Sequence, residues 1–392
     1  MKGAYFLKDI VRGSPEYECH LFSKQASAQA RSFLSRLPGY KPTPLLDLSS
    51  ESRKFGVGRL YYKDEAQRFE VGSFKALGGA YGVYRAIERL ANAEGFENLH
   101  VDDILDGRVR HLTKSLTVVC ATDGNYGRAV AWAAKLLGCR SRVYVNAATS
   151  TNRADAILQY GADVVRVSGV YEDALEQAEY DARLHGWTMV SDTAYDGCND
   201  SPEDVMAGYA TLVHEIGQQW DADVPPTHVF LQVGVGGLAA SVIAQCLRIW
   251  TARPPTFIVV EPVEADCAFQ SGMAGVSTSA AGNLKTLSVG LACGRLSTQA
   301  WPVLRDNVSA YMLIDDSDVT AAMRLLSRCE SGGVVAGESG CAGFAAFRRA
   351  CLYEPLKQAL GLGENSHVLT IGTEGATDAE IYRSIVFGTA RS

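Results

Sequence analysis

The feature that most constrains this chain is an alternation. Short runs of β-branched and aliphatic residues alternate with stretches of helical periodicity. In the first half the strand-like runs are Leu116–Thr122 (LTVVCAT), Ser141–Asn146 (SRVYVN) and Asp163–Val167 (DVVRV). Between them lie Arg128–Gly138 (RAVAWAAKLLG), which ends at a glycine stop, and Arg153–Tyr160 (RADAILQY), followed by Gly161. His228–Val233 (HVFLQV), Leu238–Ile249, Thr256–Glu261 (TFIVVE) and His367–Ile371 (HVLTI) continue the pattern. Strands apolar throughout are covered on both faces, so the alternation predicts an α/β fold with parallel-rich, twisted sheets flanked by helices.

A chain of 392 residues suggests two domains. Turn formers cluster at Asp196–Glu203 and Asp221–Pro226. With a break near residue 200, the expected division is a large domain from residues 1–70 and 201–392 and a small domain from 71–200. Ligands in such folds sit beyond the carboxyl ends of the strands.

Composition removes several function classes. Hydrophobic residues at 47% and charged residues at 21% supply a large core and exclude disorder. The net charge of −7 argues against a nucleic-acid partner or an anionic membrane surface. No apolar run reaches the roughly 18 residues of a membrane span. Lys2, Lys8, Asp9 and Arg12 interrupt any signal-peptide core, so a cytoplasmic location is expected. The ten cysteines contain no CxxC pair and the seven histidines lack ligand spacing, so no metal site is expected.

Three segments carry chemistry. The first, Lys63–Ala80, reads KDEAQRFEVGSFKALGGA. Ser73 suits an N-cap, which puts Lys75 in the first helical turn. The helix dipole disfavours a cation there and so favours a neutral, nucleophilic amine. The alternative is a solvated surface lysine. Gly78 and Gly79 weigh against it, because two glycines inside a helix cost roughly 1 kcal/mol each relative to alanine and imply close packing.

In the second, His228–Ser241 (HVFLQVGVGGLAAS), a strand runs into Gly234-Val235-Gly236-Gly237 and then a helix. Such a turn offers backbone donors to a phosphate. Gly234-x-Gly236-x-x-Ala239, with Glu261 ending the next strand, also fits a nicotinamide-binding fingerprint. A plain strand–helix turn is the third option. The last segment, Asp123-Gly124-Asn125-Tyr126-Gly127, follows a strand and opens a helix. Its donors suit a substrate carboxylate, and Asp123 an acid–base role; an N-cap aspartate in a simple turn reads equally well.

Taken together, GSFK, the DGN loop and the GVGG loop, in that order, resemble the fold type II pyridoxal-phosphate enzymes, whose architecture is tryptophan synthase β-like. Within these the chain is most similar to the diaminopropionate ammonia-lyases. The likeness runs from about residue 40 to about 385. It includes Ala121–Trp132 (ATDGNYGRAVAW), Val190–Ala194 (VSDTA), Val260–Cys267 (VEPVEADC), Leu291–Cys293 (LAC), Gly337–Gly340 (GESG) and Thr373–Gly375 (TEG). The ATDGN loop discriminates most, because related dehydratases usually carry Ser-x-Gly-Asn there.

The resemblance implies pyridoxal 5'-phosphate as cofactor, held covalently by Lys75. Asn125 meets its ring hydroxyl, Gly234, Val235, Gly236, Gly237 and Leu238 wrap its phosphate, and Thr373 meets its pyridine nitrogen. Fold-mates often have serine where this chain has Gly372. Lys75, Asp123 and Asp192 are the implied catalytic groups; Ser73, Asp123, Gly124 and Tyr126 surround the substrate. Cys267 and Cys293 match a pair that some members oxidise; two thiols are expected here. Tyr126 and Tyr195 depart from the histidine and tryptophan common in the family.

The implied reaction is α,β-elimination of ammonia from 2,3-diaminopropionate, giving pyruvate and ammonia, by a homodimer acting on a small amino acid. Lys75 would serve the L form and Asp123 the D form. Three rivals stand beside it: a same-fold β-eliminating or β-replacing enzyme with another leaving group, a nicotinamide-dependent oxidoreductase, and a regulatory protein that lost catalysis.

Overall fold

The structure is a computed structural model that describes residues 4–8, 21–122, 124–147, 149–169, 171–195, 200–221, 224–330 and 332–388. Asp123 lies outside the described residues. Contacts divide the chain into two compact units. The first holds the described residues up to Leu21, Pro42–Gln67 and Leu212 onward; the second holds Phe22–Lys41 and Arg68–Thr211.

These bounds correct the sequence expectation twice. Residues 22–41 join the second unit because helix Lys24–Leu34 stacks Phe33 on Tyr84, with ring centroids 4.3 Å apart. The break near 200 does not hold either. Helix Asp200–Gln219 runs unbroken from Asp200, and the division falls inside it, between Thr211 and Leu212.

Among the described residues the strands are β1 (Tyr5–Leu7), β2 (Leu45–Asp47), β3 (Arg59–Asp64), β4 (Thr117–Ala121), β5 (Arg140–Asn146), β6 (Asp163–Val167), β7 (Thr188–Met189), β8 (His228–Gln232), β9 (Thr256–Pro262), β10 (Val308–Ile314) and β11 (His367–Gly372). In the first unit seven strands pair in the order β1-β10-β9-β8-β11-β3-β2. All neighbours are parallel except the short edge strands β1 and β2. One face packs Phe230, Ile258, Val260, Ala310 and Met312 against Phe344 and Phe347 of helix Ala342–Leu352. The intervening Val229, Leu231, Phe257 and Val259 are buried as well, so both faces are covered. Each such side chain contributes roughly 1.5–3 kcal/mol of transfer free energy.

The second unit holds a four-stranded, all-parallel sheet in the order β6-β5-β4-β7. The strand alternation sends Tyr144, Val119 and Ala121 to Ala174 and Ala178 of helix Tyr171–His185. Val143 points the other way, to Gly127 of helix Asn125–Leu137.

Helix Lys75–Ala93 crosses its neighbours at glycines. A Cβ on Gly78 would lie 2.4 Å from Tyr209 Cε1 and 2.6 Å from Val205 Cγ1. One on Gly208 would lie 2.7 Å from the Leu77 carbonyl, and one on Gly79 would lie 3.0 Å from the Ala129 Cβ. The glycine pair in the sequence therefore marks helix–helix contact at backbone distance.

Candidate active site

In the second unit, three neighbouring features bring the chemistry together. Lys75 is the first residue of its helix, as expected. The N-cap position is Phe74 rather than Ser73. Ser73 is buried and its Oγ accepts the Lys75 amide at 3.4 Å, a long bond that adds little. β7 ends just before Asp192, whose Oδ2 lies 2.5 Å from Lys75 Nζ. The segment between is fixed by Val190 N–H donating to the Val119 carbonyl and by Ser191 N–H donating to Ser201 Oγ at 2.8 Å. β4 ends before the DGN loop. There Thr122 Oγ1 accepts the amides of Gly124 at 3.0 Å and Gly127 at 3.2 Å. Gly124 has φ 152°, a conformation that glycine tolerates and L residues rarely adopt. Asn125 opens the helix that follows.

The helix field is not the only charge acting on Lys75. A helix N-terminus disfavours a cation by roughly 0.3–1 kcal/mol. A carboxylate in direct contact, with both side chains largely out of water, acts in the opposite sense and more strongly. Lys75 is an ion-paired ammonium in this structure. Three rings complete its surroundings, with Nζ 5.3 Å from the centroid of Phe74, 5.5 Å from Tyr126 and 5.9 Å from Tyr209. Such faces attract a cation.

Tyr126 is buried and donates its hydroxyl to the Val190 carbonyl at 3.1 Å. Burial pushes its phenol well above the usual range. It forms part of the wall around Lys75. Tyr209, which no motif marks, is also buried. Its hydroxyl has no hydrogen-bond partner among the described residues. Burial raises that phenol too, while the nearby Lys75 charge opposes the rise.

The first unit carries the glycine loop and Thr373. β8 runs through Val233 into the loop, and helix Gly237–Ile249 begins behind it. Gly236 has φ 92°, and a Cβ on Gly234 would lie 3.1 Å from Cys293 Sγ. The Val235 carbonyl accepts Ser297 N–H at 2.8 Å, which pins the loop. The amides from Gly234 to Gly237 meet no acceptor among the described residues, and they stand at the positive end of a helix.

Thr373 follows β11, the neighbour of β8. Its Oγ1 lies 3.0 Å from Gln232 Nε2, which also donates to the Ile371 carbonyl at 2.9 Å. Gln232 is a positioning group that the sequence reading missed. At Gly372 a Cβ would lie 2.0 Å from Tyr62 Oη, so the tyrosine fills the space that a side chain there would need.

Glu261 settles the nicotinamide reading. Its Oε1 accepts Ala268 N–H and its Oε2 accepts Phe269 N–H, each at 2.8 Å. Both oxygens face into the protein, and neither is presented to a ribose. Burial pushes this carboxyl up to about 8, against the pull of the two amides. Cys267 and Cys293 are thiols, as expected. The Cys267 Sγ lies 3.3 Å from Glu261 Oε1, and burial holds that thiol far above its ordinary range.

The residues present fit pyridoxal phosphate. A partly buried lysine amine suits its aldehyde, an orphaned buried hydroxyl lies beside that amine, and a donor-rich turn on a helix N-terminus suits its phosphate.

Comparison with known proteins agrees. Residues 36–374 match the family described as "Pyridoxal-phosphate dependent enzyme". The chain is 36% identical over 378 residues to diaminopropionate ammonia-lyase of Escherichia coli strain K12, covering 94% of this chain and 92% of that one. Among solved structures, diaminopropionate ammonia lyase from Escherichia coli in complex with D-serine superposes with a TM-score of 0.89 at 32% identity, over 98% of this chain and 97% of that one. The same enzyme in complex with an aminoacrylate-PLP azomethine reaction intermediate gives 0.85 at 33% identity, over 98% of each chain. The chain is therefore a pyridoxal-phosphate-dependent enzyme and belongs to the diaminopropionate ammonia-lyase family.

Proposed function

We propose that this chain eliminates ammonia from 2,3-diaminopropionate. The observation that carries the reading is the Lys75–Asp192 pair, a helix-opening lysine against an acid that follows β7, in a chain 36% identical to a diaminopropionate ammonia-lyase. When bound, pyridoxal phosphate supplies an electron sink for charge developing at the substrate Cα.

The chain's own groups supply the rest. Lys75 would hold the cofactor through its amine, and Asp192 would be the carboxylate facing the second ammonium that the substrate brings. Lys75, once released, is the base for the Cα proton of the L form, and Asp123 serves the D form. A β-amino group leaves only as ammonia, so it must keep or gain a proton, and Asp123 is assigned to deliver it. The unsaturated product then adds water and loses its remaining nitrogen, giving pyruvate and a second ammonia. Asn125 orients the ring through its hydroxyl. Gly234, Val235, Gly236, Gly237 and Leu238 hold the phosphate with backbone donors. Thr373 meets the ring nitrogen, oriented by Gln232. Ser73, Gly124 and Tyr126 bound the substrate.

The second unit carries the lysine and the substrate loop, and the first unit the phosphate loop. We further infer a homodimer acting in the cytoplasm on a small amino acid. Among the described residues no helix is long and apolar enough to cross a membrane.

A same-fold eliminase with another leaving group is favoured by one observation only: Tyr126 gives its hydroxyl to a carbonyl where the family often carries a titratable histidine. Release of ammonia and keto acid from D- and L-2,3-diaminopropionate, serine, threonine and O-acetylserine tests both. Turnover confined to the diaminopropionates supports the first reading. A preference for serine or O-acetylserine overturns it.

A further inference from the structure

The Lys75 surroundings contain one buried hydroxyl that faces the Lys75 charge without a hydrogen bond of good geometry. Tyr209 is 1% exposed, and its hydroxyl has no hydrogen-bond partner among the described residues. Native chains seldom tolerate this, because an unsatisfied buried hydroxyl costs about as much as losing a hydrogen bond outright.

The ring has no freedom to turn away. Its edge rests on the Gly78 backbone, its face meets Phe74 at 4.7 Å between centroids, and Gly208 presses the same helix onto the Leu77 carbonyl. Both chain segments lack side chains at the crossing, so the contact is as close as backbone allows. The helix packing thus holds a phenol beside the amine that takes up the cofactor, with the Lys75 Nζ 5.9 Å from the ring centroid. A tyrosine whose only task is to fill space needs no hydroxyl there.

We propose that Tyr209 is a further cofactor contact of the Lys75 site: its hydroxyl takes its hydrogen-bond partner from pyridoxal phosphate once Lys75 is loaded. This rests on Lys75 as the cofactor-bearing residue. Tyr209 also positions the amine, since its ring and those of Phe74 and Tyr126 confine Nζ to the side where Asp192 lies. The resting lysine is held by charge and rings. The loaded lysine releases Asp192 to the substrate and satisfies Tyr209.

The test uses Tyr209→Phe, which keeps ring and packing and removes one oxygen. Melting temperatures are measured for the cofactor-free and the loaded forms of both proteins, and equilibrium dialysis gives the affinity of the cofactor-free forms for pyridoxal phosphate. The variant should melt at or above the parent when cofactor-free, because an orphaned polar group is gone. It should melt below the parent when loaded. Its affinity for pyridoxal phosphate should fall about three- to tenfold, the worth of one net hydrogen bond. A difference of the same sign in both forms, or an unchanged affinity, overturns the assignment.

Tyr209→Leu, compared in the same way, separates ring from hydroxyl: it should lose more affinity than Tyr209→Phe, and equal losses would remove the positioning role of the ring. If the parent itself fails to yield a borohydride-fixed pyridoxyl group on Lys75, the Lys75 reading has failed. If the parent is labelled and Tyr209→Phe matches it throughout, only the role of Tyr209 has failed.

Discussion

Gly78→Ala is the sharpest test of how this site is built. In an exposed helix the change should stabilise by roughly 1 kcal/mol, because alanine is the better helix former. Here the added methyl would sit 2.4 Å from Tyr209 Cε1, 2.6 Å from Val205 Cγ1 and 2.8 Å from Tyr209 Cζ. Carbon atoms in favourable contact stand about 3.5–4.0 Å apart, so each overlap exceeds roughly 0.7 Å. Tyr209 cannot yield by sliding along its own helix, because the neighbouring Gly208 is already against the Leu77 carbonyl and the Gly78 Cα.

The two helices must separate, and overpacking of this kind costs typically 1–3 kcal/mol or more. Net of the propensity gain of roughly 1 kcal/mol, Gly78→Ala should destabilise by up to about 2 kcal/mol, opposite in sign to the exposed case. Urea unfolding followed by tryptophan fluorescence reads the stability, and cofactor absorbance reads the site. Because the displaced ring is one wall around Lys75, affinity for pyridoxal phosphate should fall as well. Gly95→Asn, at an open helix end with φ 82°, is the control and should leave affinity unchanged. A Gly78→Ala protein more stable than the parent, with unaltered cofactor affinity, would refute both the packing and its link to the site.

Lys75→Ala should abolish the visible cofactor band and turnover, checked by absorbance and keto-acid release. Asp192→Asn should lower kcat with diaminopropionate at least tenfold while the cofactor still loads, because it keeps the shape and removes the charge that faces the substrate's second ammonium; steady-state kinetics decides. Asp123→Asn should cut turnover of the D form far more than that of the L form, and equal rates on both would remove its assigned role. Glu261 is raised to about 8 by burial, so the folded chain holds a proton that the unfolded chain releases near its ordinary value of 4.5. Its stabilising contribution is complete below about pH 4.5 and is lost as pH rises toward 8; melting curves across that window should fall in the parent and stay flatter in Glu261→Gln.

Much of the fold was legible because strand signals are local. β4, β5, β6, β8, β9 and β11 each come from an apolar run that sequence alone delimits to within a residue or two. The edge strands β1 and β2 were not, since three residues carry no periodicity and an antiparallel edge is defined by its partner. β10 (VSAYMLI) has the composition of a buried strand and passed unnamed because no chemical motif follows it. The misplaced boundary at 200 has a plain cause: the turn formers of DGCNDSPE suggested a break, whereas Asp200, Ser201, Pro202 and Glu203 are all good residues for a helix's first turn, and the helix begins there. Site residues split along the same line. Lys75 opens a helix, and Asn125 and the 234–237 loop sit at strand–helix junctions, all of which sequence marks. Tyr209 and Gln232 lie within a regular helix and strand, and only tertiary packing puts Lys75 beside the one and Thr373 beside the other. The one signal pointing at Tyr209 was indirect, the cost of Gly78 and Gly79 inside a helix.

That cost also explains why the lysine stands where it does. A catalytic amine at a helix start is in a mildly unfavourable field, and the fold does not remove that field; it answers it with Asp192 and three rings. The outcome is a lysine whose amine is paired with Asp192 and bounded by three aromatic rings. On the proposed reading Asp192 also faces the second ammonium of a diamino acid, a charge that serine lacks. We therefore expect selectivity for a diamino acid to depend on Asp192. Asp192→Asn supplies the check: the ratio of kcat/KM for diaminopropionate over serine should collapse toward unity. A ratio left intact would show that the preference for a second ammonium is set elsewhere in the site.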